Sequence, residues 1–213
     1  MSPIGWLFSF GLLASSGYIA NFDHAALGKT PPDWVVSGHG GSSRWEILPD
    51  RTARTQPYVF ARVSGHHQDG FSLAVLNPLT VRDGDISVRL KMVSGQNQSG
   101  GLVFRYRDEN NYYLVRADAR DREVCIDRVQ NGRTFPVRPR GMPPSALGVK
   151  HNVLPNTWSI LKISVRGSRF QVYVNHRRIL QADDGAWSGP GKVGLLTVAD
   201  SVTYFDDFRV YPK

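Results

Sequence analysis

Arginine and tyrosine side chains alternate with apolar ones in the segment GGLVFRYRDENNYYLVRADA, residues 100–119. Two such runs flank a turn of acidic and amide residues, a pattern that predicts a β-hairpin. Successive side chains of a strand point to opposite faces, so Arg105 and Arg107 should project outward if the apolar positions face the core. Across the hairpin, the register of either Tyr112 or Tyr113 would place a tyrosine beside them.

A sheet face that bears arginine and tyrosine suits a carbohydrate, because the apolar face of a sugar packs on an aromatic ring while a guanidinium binds hydroxyl or carboxylate oxygens. The predicted ligand contacts are Arg105, Arg107, Tyr113 and Arg116. The alternative is a solvated sheet face, on which arginine stems cover the strands and the charges are paired locally. Those pairs would join Asp118, Asp121 and Glu123 to Arg116, Arg120 and Arg122.

Carboxylates that could hydrolyse a glycosidic bond are poorly placed in this sequence. Hydrolysis needs two carboxyl groups about 5 to 9.5 Å apart, whereas Glu123 and Asp127, which share a strand face, would be separated by about 13 Å. Asp83 and Asp85 flank a glycine before a strand, where a turn cap is the expected role and a pair of calcium ligands is the alternative. The sequence therefore predicts no catalytic residue.

Metal and thiol chemistry has little support. Cys125 is the only cysteine, which excludes an intrachain disulfide and a cysteine-based zinc site, and its strand-like surroundings favour an inert buried thiol. His66 and His67 are flanked by residues typical of loops and are expected to be exposed. The alternative is a metal ion held by this pair together with Asp69 or Asp83. No metal site is predicted, and no cofactor apart from the open alternative of calcium.

The first twenty residues carry no charged side chain and contain a short apolar run. This run cannot span a bilayer but is typical of a signal peptide, with cleavage expected after Ser16 or Ala20. We therefore expect a leader at residues 1–20, a single mature domain at residues 21–213 and a periplasmic or secreted location. The alternative is a cytoplasmic protein in which residues 6–13 form a buried first strand. No membrane span is predicted in the mature chain.

The chain of 213 residues has a net charge of +8 and a pI near 9.9. Such a balance suits acidic glycans, anionic cell-surface polymers or nucleic acid, and it also suits simple solubility. Nucleic acid is the least favoured partner, because carboxylates interrupt the positive charge between Arg105 and Arg140 and a leader would remove the protein from nucleic acid. The sequence does not indicate an oligomeric state.

Short runs with a period of two recur between clusters of Gly, Asn, Asp and Pro, and helical periodicity is nearly absent after the leader. Tight hairpins are expected at Gly167-Ser168 and at Asn131-Gly132, and the longest loop is expected at residues 135–155. About a dozen strands in one domain predict an all-β fold with two packed antiparallel sheets, a β-sandwich or jelly roll. The candidate strands are Arg44–Leu48, Tyr58–Val63, Ser72–Leu76, Asp85–Met92, Gly101–Arg107, Tyr112–Ala117, Val124–Val129, Ser159–Arg166, Arg169–Val174, Arg178–Ala182, Lys192–Val198 and Tyr204–Tyr211.

Four segments carry a likeness to a known family: SGGLVFRY, NNYYLVRAD, NTWSILKISVRGSRFQVYVNHRRIL and GPGKVGLLTVADSVTYFDDFRV. Together they resemble the concanavalin A-like, laminin-G-like sandwich domains, and most closely the 3-keto-disaccharide hydrolase-like domain family. The resemblance implies a jelly roll, usually exported by bacteria, whose concave sheet face binds sugars or cleaves modified disaccharides. The chain departs from the hydrolases at residues 113–116, where an acidic or amide residue would be expected, so sugar binding is favoured over hydrolysis.

Overall fold

The computed structural model describes residues 17–38, 43–64 and 70–213, which form sixteen strands and no helix. Several strands are long, and most follow one another through tight turns. Their bounds are β1 Tyr18–Ala20, β2 Trp34–Gly38, β3 Arg44–Pro49, β4 Tyr58–Ser64, β5 Phe71–Val81, β6 Gly84–Ser94, β7 Ser99–Asp108, β8 Asn111–Asp118, β9 Glu123–Gln130, β10 Arg133–Val137, β11 Gly148–Lys150, β12 Ser159–Arg166, β13 Arg169–Val174, β14 Arg177–Asp183, β15 Gly191–Val198 and β16 Val202–Pro212.

The strands form two antiparallel sheets of eight strands each. The first sheet has the order β14-β13-β12-β6-β16-β4-β3, with β1 paired to β16. The second sheet has the order β10-β9-β8-β7-β15-β5-β2, with β11 paired to β9 beyond the end of β10. The predicted all-β, two-sheet antiparallel β-sandwich is thereby confirmed.

The core lies between the two sheets, because one face of nearly every strand is apolar. In β12, Leu161, Ile163 and Val165 are buried, and in β8 the inward residues are Val115 and Ala117. Each large apolar side chain buried in this way stabilises the fold by roughly 1.5–3 kcal/mol. The period-two pattern of the sequence is thus the direct cause of the layered architecture.

The outer face of the second sheet carries the alternate residues. Leu114 of β8 and Leu196 of β15 belong to a separate apolar cluster on this face, and Arg116 follows Leu114 on the same side of β8. Gly101 of β7 lies between Arg116 and Leu196 in the strand register. A Cβ atom on Gly101 would lie 2.0 Å from the carbonyl oxygen of Val115. This buried position can therefore hold only glycine.

All the candidate strands are present, and β12 and β13 have the predicted bounds. The expectation of one long loop at residues 135–155 is wrong, because the end of β10 and all of β11 lie within it and pair with β9. The hairpins at Asn131-Gly132 and Gly167-Ser168 are confirmed. β1 and β2 were not predicted.

Some sequence predictions fall on parts of the chain outside the described residues. These are the first sixteen residues of the expected leader, with its alternative buried strand, and the pair His66 and His67 with Asp69. Within the part of the chain that the structure describes, no helix is long and apolar enough to cross a membrane.

Candidate functional site

Arg105 of β7 is buried, with 2% of its surface exposed. The residue has a φ angle of 49° at an irregularity in the β7–β8 pairing, which turns its side chain away from the regular alternation. Its guanidinium donates to the carbonyl oxygens of Trp187 and Gly167 and lies 3.3 Å from the Asp83 carboxylate. The expected outward orientation of Arg105 is therefore wrong, and the side chain joins three loops at one end of the sandwich.

Tyr113 of β8 also points into the core. Its ring stacks on Phe104 with centroids 5.3 Å apart and lies edge-on to Trp187. Its hydroxyl donates to Oδ1 of Asp184 at 2.9 Å, and Arg128 binds the other oxygen of that carboxylate. Burial, with the neighbouring Asp184 carboxylate, raises the pKa of Tyr113 to about 12. The tyrosine beside the predicted arginines is thus fully buried.

Arg107 projects to the surface, as expected. Its guanidinium lies over the ring of Trp187, 5.0 Å from the centroid, a cation–π contact at the rim of the sandwich. Arg107 therefore shares one end of the molecule with Arg105 and Tyr113. Arg116 belongs to a different surface, the outer face of the second sheet.

Arg116 lies in a groove of about 470 Å³ on that outer face. β8 supplies the arginine, β9 supplies three residues from alternate positions, and β10 together with the segment before β11 forms one wall. The start of β5 and the end of β15 form the other wall. The lining residues are Gly70, Phe71, Arg116, Glu123, Cys125, Asp127, Thr134, Pro136, Leu147 and Val198.

Two carboxylates hold the Arg116 guanidinium. Its Nε lies 3.5 Å from Oδ2 of Asp127, and one terminal nitrogen lies 3.5 Å from Oδ2 of Asp118. Both distances are long for charge-assisted hydrogen bonds. The arginine side chain is 30% exposed, whereas each carboxylate is 9% exposed. The guanidinium is therefore oriented by its partners yet remains accessible to a ligand.

Burial changes the titration of these groups. It raises the pKa of Asp127 and of Asp118, and Arg116 partly offsets the effect in both cases. Burial also raises the pKa of the Cys125 thiol, which donates to Asp127. The thiol is therefore protonated near neutral pH, in agreement with the expected absence of cysteine chemistry. The groove thus offers one cation, hydrogen-bonding carboxylates and apolar walls.

Other candidate groups have structural partners. Oδ1 of Asp83 accepts a hydrogen bond from the backbone of Gly167 at 2.9 Å, and Asp85 pairs with Arg166 at 2.8 Å. The contact of Asp83 agrees with the turn-cap interpretation, whereas Asp85 lies in β6 and forms side-chain ion pairs. Among the described residues, no group of three or more His, Cys, Asp or Glu side chains could hold a metal ion.

The Arg116–Asp127 pair was missed in the sequence, although its signal was present. The turn at residues 119–122 pairs β8 with β9, so that Arg116 lies opposite Cys125. Asp127 is two residues after Cys125 and therefore lies on the same face of the sheet as Arg116. The wall formed by β10 and the segment before β11 could not be inferred, because β10 contains a proline and β11 has only three residues. The predicted local pair of Arg116 with Asp118 is confirmed.

No protein-family model matches the chain, and no curated protein matches it significantly. Solved structures with a similar fold include the carbohydrate-binding module CBM66 from Bacillus subtilis, which is 20% identical with a TM-score of 0.62 over 83% of this chain and 94% of that one. Domain 4 of AbnA, a GH43 extracellular arabinanase from Geobacillus stearothermophilus solved with arabinotriose, is 12% identical with a TM-score of 0.59 over 91% and 90%.

A native glycosidic hydrolase is 12% identical with a TM-score of 0.55 and covers 93% of this chain and 96% of its own. At these identities the likeness concerns the fold. The superpositions cover 83–93% of this chain and therefore include both antiparallel sheets. In fold, the chain is a two-sheet antiparallel β-sandwich similar to those of these structures.

Proposed function

We propose that this chain is an exported carbohydrate-binding module that takes its glycan on the outer face of the second sheet. The observation that carries the proposal is the groove of about 470 Å³ that is lined by Arg116. The sequence prediction named a concave sheet face and four contacts, and of these four Arg116 alone lines the groove, since Arg105 and Tyr113 are buried and Arg107 lies at one end of the sandwich.

The chemistry of the groove suits a sugar. A guanidinium held between Asp127 and Asp118 can donate to adjacent hydroxyl oxygens, while the carboxylates accept from the same hydroxyl groups. Phe71 offers a partly exposed ring at one wall, on which the apolar face of a sugar can pack. Leu147 extends the apolar surface at the opposite wall. Polar recognition in the centre and apolar packing at the sides is the usual composition of a ligand site.

The structural neighbours support the carbohydrate class. One is a carbohydrate-binding module, and another is a domain of an arabinanase solved with arabinotriose. These names describe those proteins, and they favour a sugar ligand here over other small molecules.

Export is part of the proposal, and the structure favours one of the two expected cleavage positions. β1 pairs with β16, and the ring of Tyr18 lies edge-on to Phe208 with centroids 6.5 Å apart. Cleavage after Ala20 would remove this strand, whereas cleavage after Ser16 would leave it intact. N-terminal sequencing of protein recovered outside the cytoplasm should therefore begin at Gly17.

Hydrolysis of modified disaccharides is the alternative. The observation in its favour is that Asp118 and Asp127 lie on two sides of one guanidinium and both have a raised pKa, a property of general acids. Incubation with candidate disaccharides, followed by chromatography of the products, separates this alternative from binding alone.

A glycan array tests the proposed function. The chain from Gly17 onward would be screened at low and at high salt, and the products of each bound glycan would be examined. Binding to a defined sugar that persists in high salt, without cleavage, supports the binding module. Cleavage supports the hydrolase, and the absence of any salt-resistant glycan contradicts the proposal. Binding of polyanions alone, lost in high salt, would also contradict it.

A further inference from the structure

A second groove, of about 290 Å³, lies on the first sheet. It is formed by β6, β16, the start of β12 and the turn between β13 and β14. Its polar and aromatic lining residues are Ser87, Arg89, His176, Asp207, Arg209 and Tyr211. None of them contributes to the groove around Arg116.

The second groove has an excess of positive charge. Oδ1 of Asp207 accepts from Nε of Arg209 at 2.7 Å, and Oδ2 lies 3.5 Å from Nε of Arg89. One carboxylate thus faces two guanidinium groups. Lys162 lies opposite Ser87 in the strand register and adds a third cation nearby, which Asp85 approaches at 3.9 Å.

The two arginines are held in place but are not saturated. Asp207 has a φ angle of 53° at a register shift in the β16–β6 pairing, and this bulge brings its side chain to both arginines. Arg209 also forms a hydrogen bond with Tyr211. The side chains of Arg89 and Arg209 are 27% and 42% exposed, so both guanidinium groups can still bind a ligand in the groove.

We infer that this groove binds the hexuronate residue of an acidic glycan. Arginine donors match a carboxylate in fork geometry, and the partly exposed guanidinium groups of Arg209 and Arg89 supply such donors. The ring of Tyr211 is 43% exposed and can pack against the sugar, while Ser87 and His176 offer hydrogen bonds to its hydroxyl groups. The small volume suits one sugar unit, whereas single-stranded nucleic acid needs a track of cations along several phosphates.

Titration calorimetry with an oligogalacturonate and with its methyl ester tests this assignment. The two probes differ in the carboxylate alone, so the acid should bind and the ester should bind at least about tenfold more weakly, as expected for loss of a charge-assisted pair. Arg209→Gln should weaken binding of the acid by about tenfold or more. Asp207→Asn should strengthen it several-fold, because the competing carboxylate is removed and asparagine tolerates positive φ. Arg120→Gln, an equal change of charge in the exposed β8–β9 turn, should have little effect.

Arg209→Gln is expected to lower the affinity for the acid and Asp207→Asn to raise it, and loss of folding could not produce both effects. Thermal unfolding of each variant would monitor folding directly. Equal binding of acid and ester would overturn the inference, as would unchanged binding by Arg209→Gln. A single-stranded oligonucleotide that competes at this groove and binds more tightly than the uronate would also overturn it. These outcomes leave the proposed function intact, because that function depends on Arg116.

Discussion

Arg105 and Arg116 belong to one hairpin, yet their surroundings give them different roles. The bulge at Arg105 directs a charged side chain inward, where burial lowers its pKa and backbone carbonyls with Asp83 compensate. Arg116 follows the regular alternation of β8 and stays accessible between two carboxylates. The buried charge of Arg105 is stabilised by the carbonyl oxygens of Trp187 and Gly167 and by Asp83, which indicates a structural role. Arg116 is the candidate ligand contact.

Replacing Arg105 should therefore reduce stability more than glycan affinity. We expect Arg105→Gln to lower the free energy of unfolding by about 3 kcal/mol, because buried carbonyl groups and Asp83 lose their partner. Arg107→Gln, at an exposed position two residues away, should change it by less than about 0.5 kcal/mol. Urea unfolding of both variants measures the difference. A stable Arg105→Gln variant with lost glycan binding would instead support the direct contact predicted from the sequence.

Asp200 provides a test at acid pH. Backbone hydrogen bonds from Gln96 and Asn97 lower the pKa of Asp200 below the ordinary value of 3.8. A carboxyl group with a lowered pKa in the folded state stabilises the protein above its unfolded pKa, and this contribution is lost as the pH falls through the folded pKa. Asp200→Asn should thus be less stable than the wild type at pH 7. The difference in stability between the two proteins should disappear when the pH falls below the pKa of Asp200 in the folded state.

Denaturant unfolding at a series of pH values would follow both proteins. A stability difference that stays constant from neutral to strongly acid pH would show that the carboxylate charge contributes nothing. The effect of the variant would then reside in the turn geometry alone.

At the scale of elements, the period of the side chains made most strands predictable. β12 and β13 alternate cleanly on both sides of Gly167, which has a positive φ angle of 55°, and both strands have the predicted bounds. β10 was missed because Pro136 interrupts its pattern, and β11 because three residues carry too little alternation. The inward turn of Arg105 depends on a local bulge that no period reveals. Consequently, the strand that carries Arg116 could be predicted, but the groove wall formed by β10 and the segment before β11 could not.

β1 should contribute to stability although it has only three residues. A chain that begins at Asn21 lacks the pairing with Val210, Arg209 and Phe208 and the packing of Tyr18 on Phe208. We expect it to be about 2 kcal/mol less stable than a chain that begins at Gly17, through lost burial and ladder hydrogen bonds. Urea unfolding of the two chains measures this difference. Equal stability would mean that β1 is dispensable and that cleavage after Ala20 is compatible with the fold.

At the scale of the whole molecule, the two sheets present outer faces of different chemistry. The groove on the second sheet is lined by one arginine and by the carboxylates of Glu123 and Asp127, so its lining is acidic despite the net charge of +8. The groove on the first sheet has two arginines and one carboxylate. A sandwich can carry both because its strands alternate, and each sheet turns one set of side chains to the core and the other outward.

The most direct test of the glycan-binding groove is a titration of the best neutral glycan from the array against the wild type, Arg116→Gln and Arg120→Gln. The arginines lie in the same hairpin, and Arg120 is exposed in its turn. We predict that Arg116→Gln weakens binding by about tenfold or more while Arg120→Gln leaves it unchanged, at low and at high salt. Equal affinities for all three proteins would contradict the account and place the sugar elsewhere on the molecule.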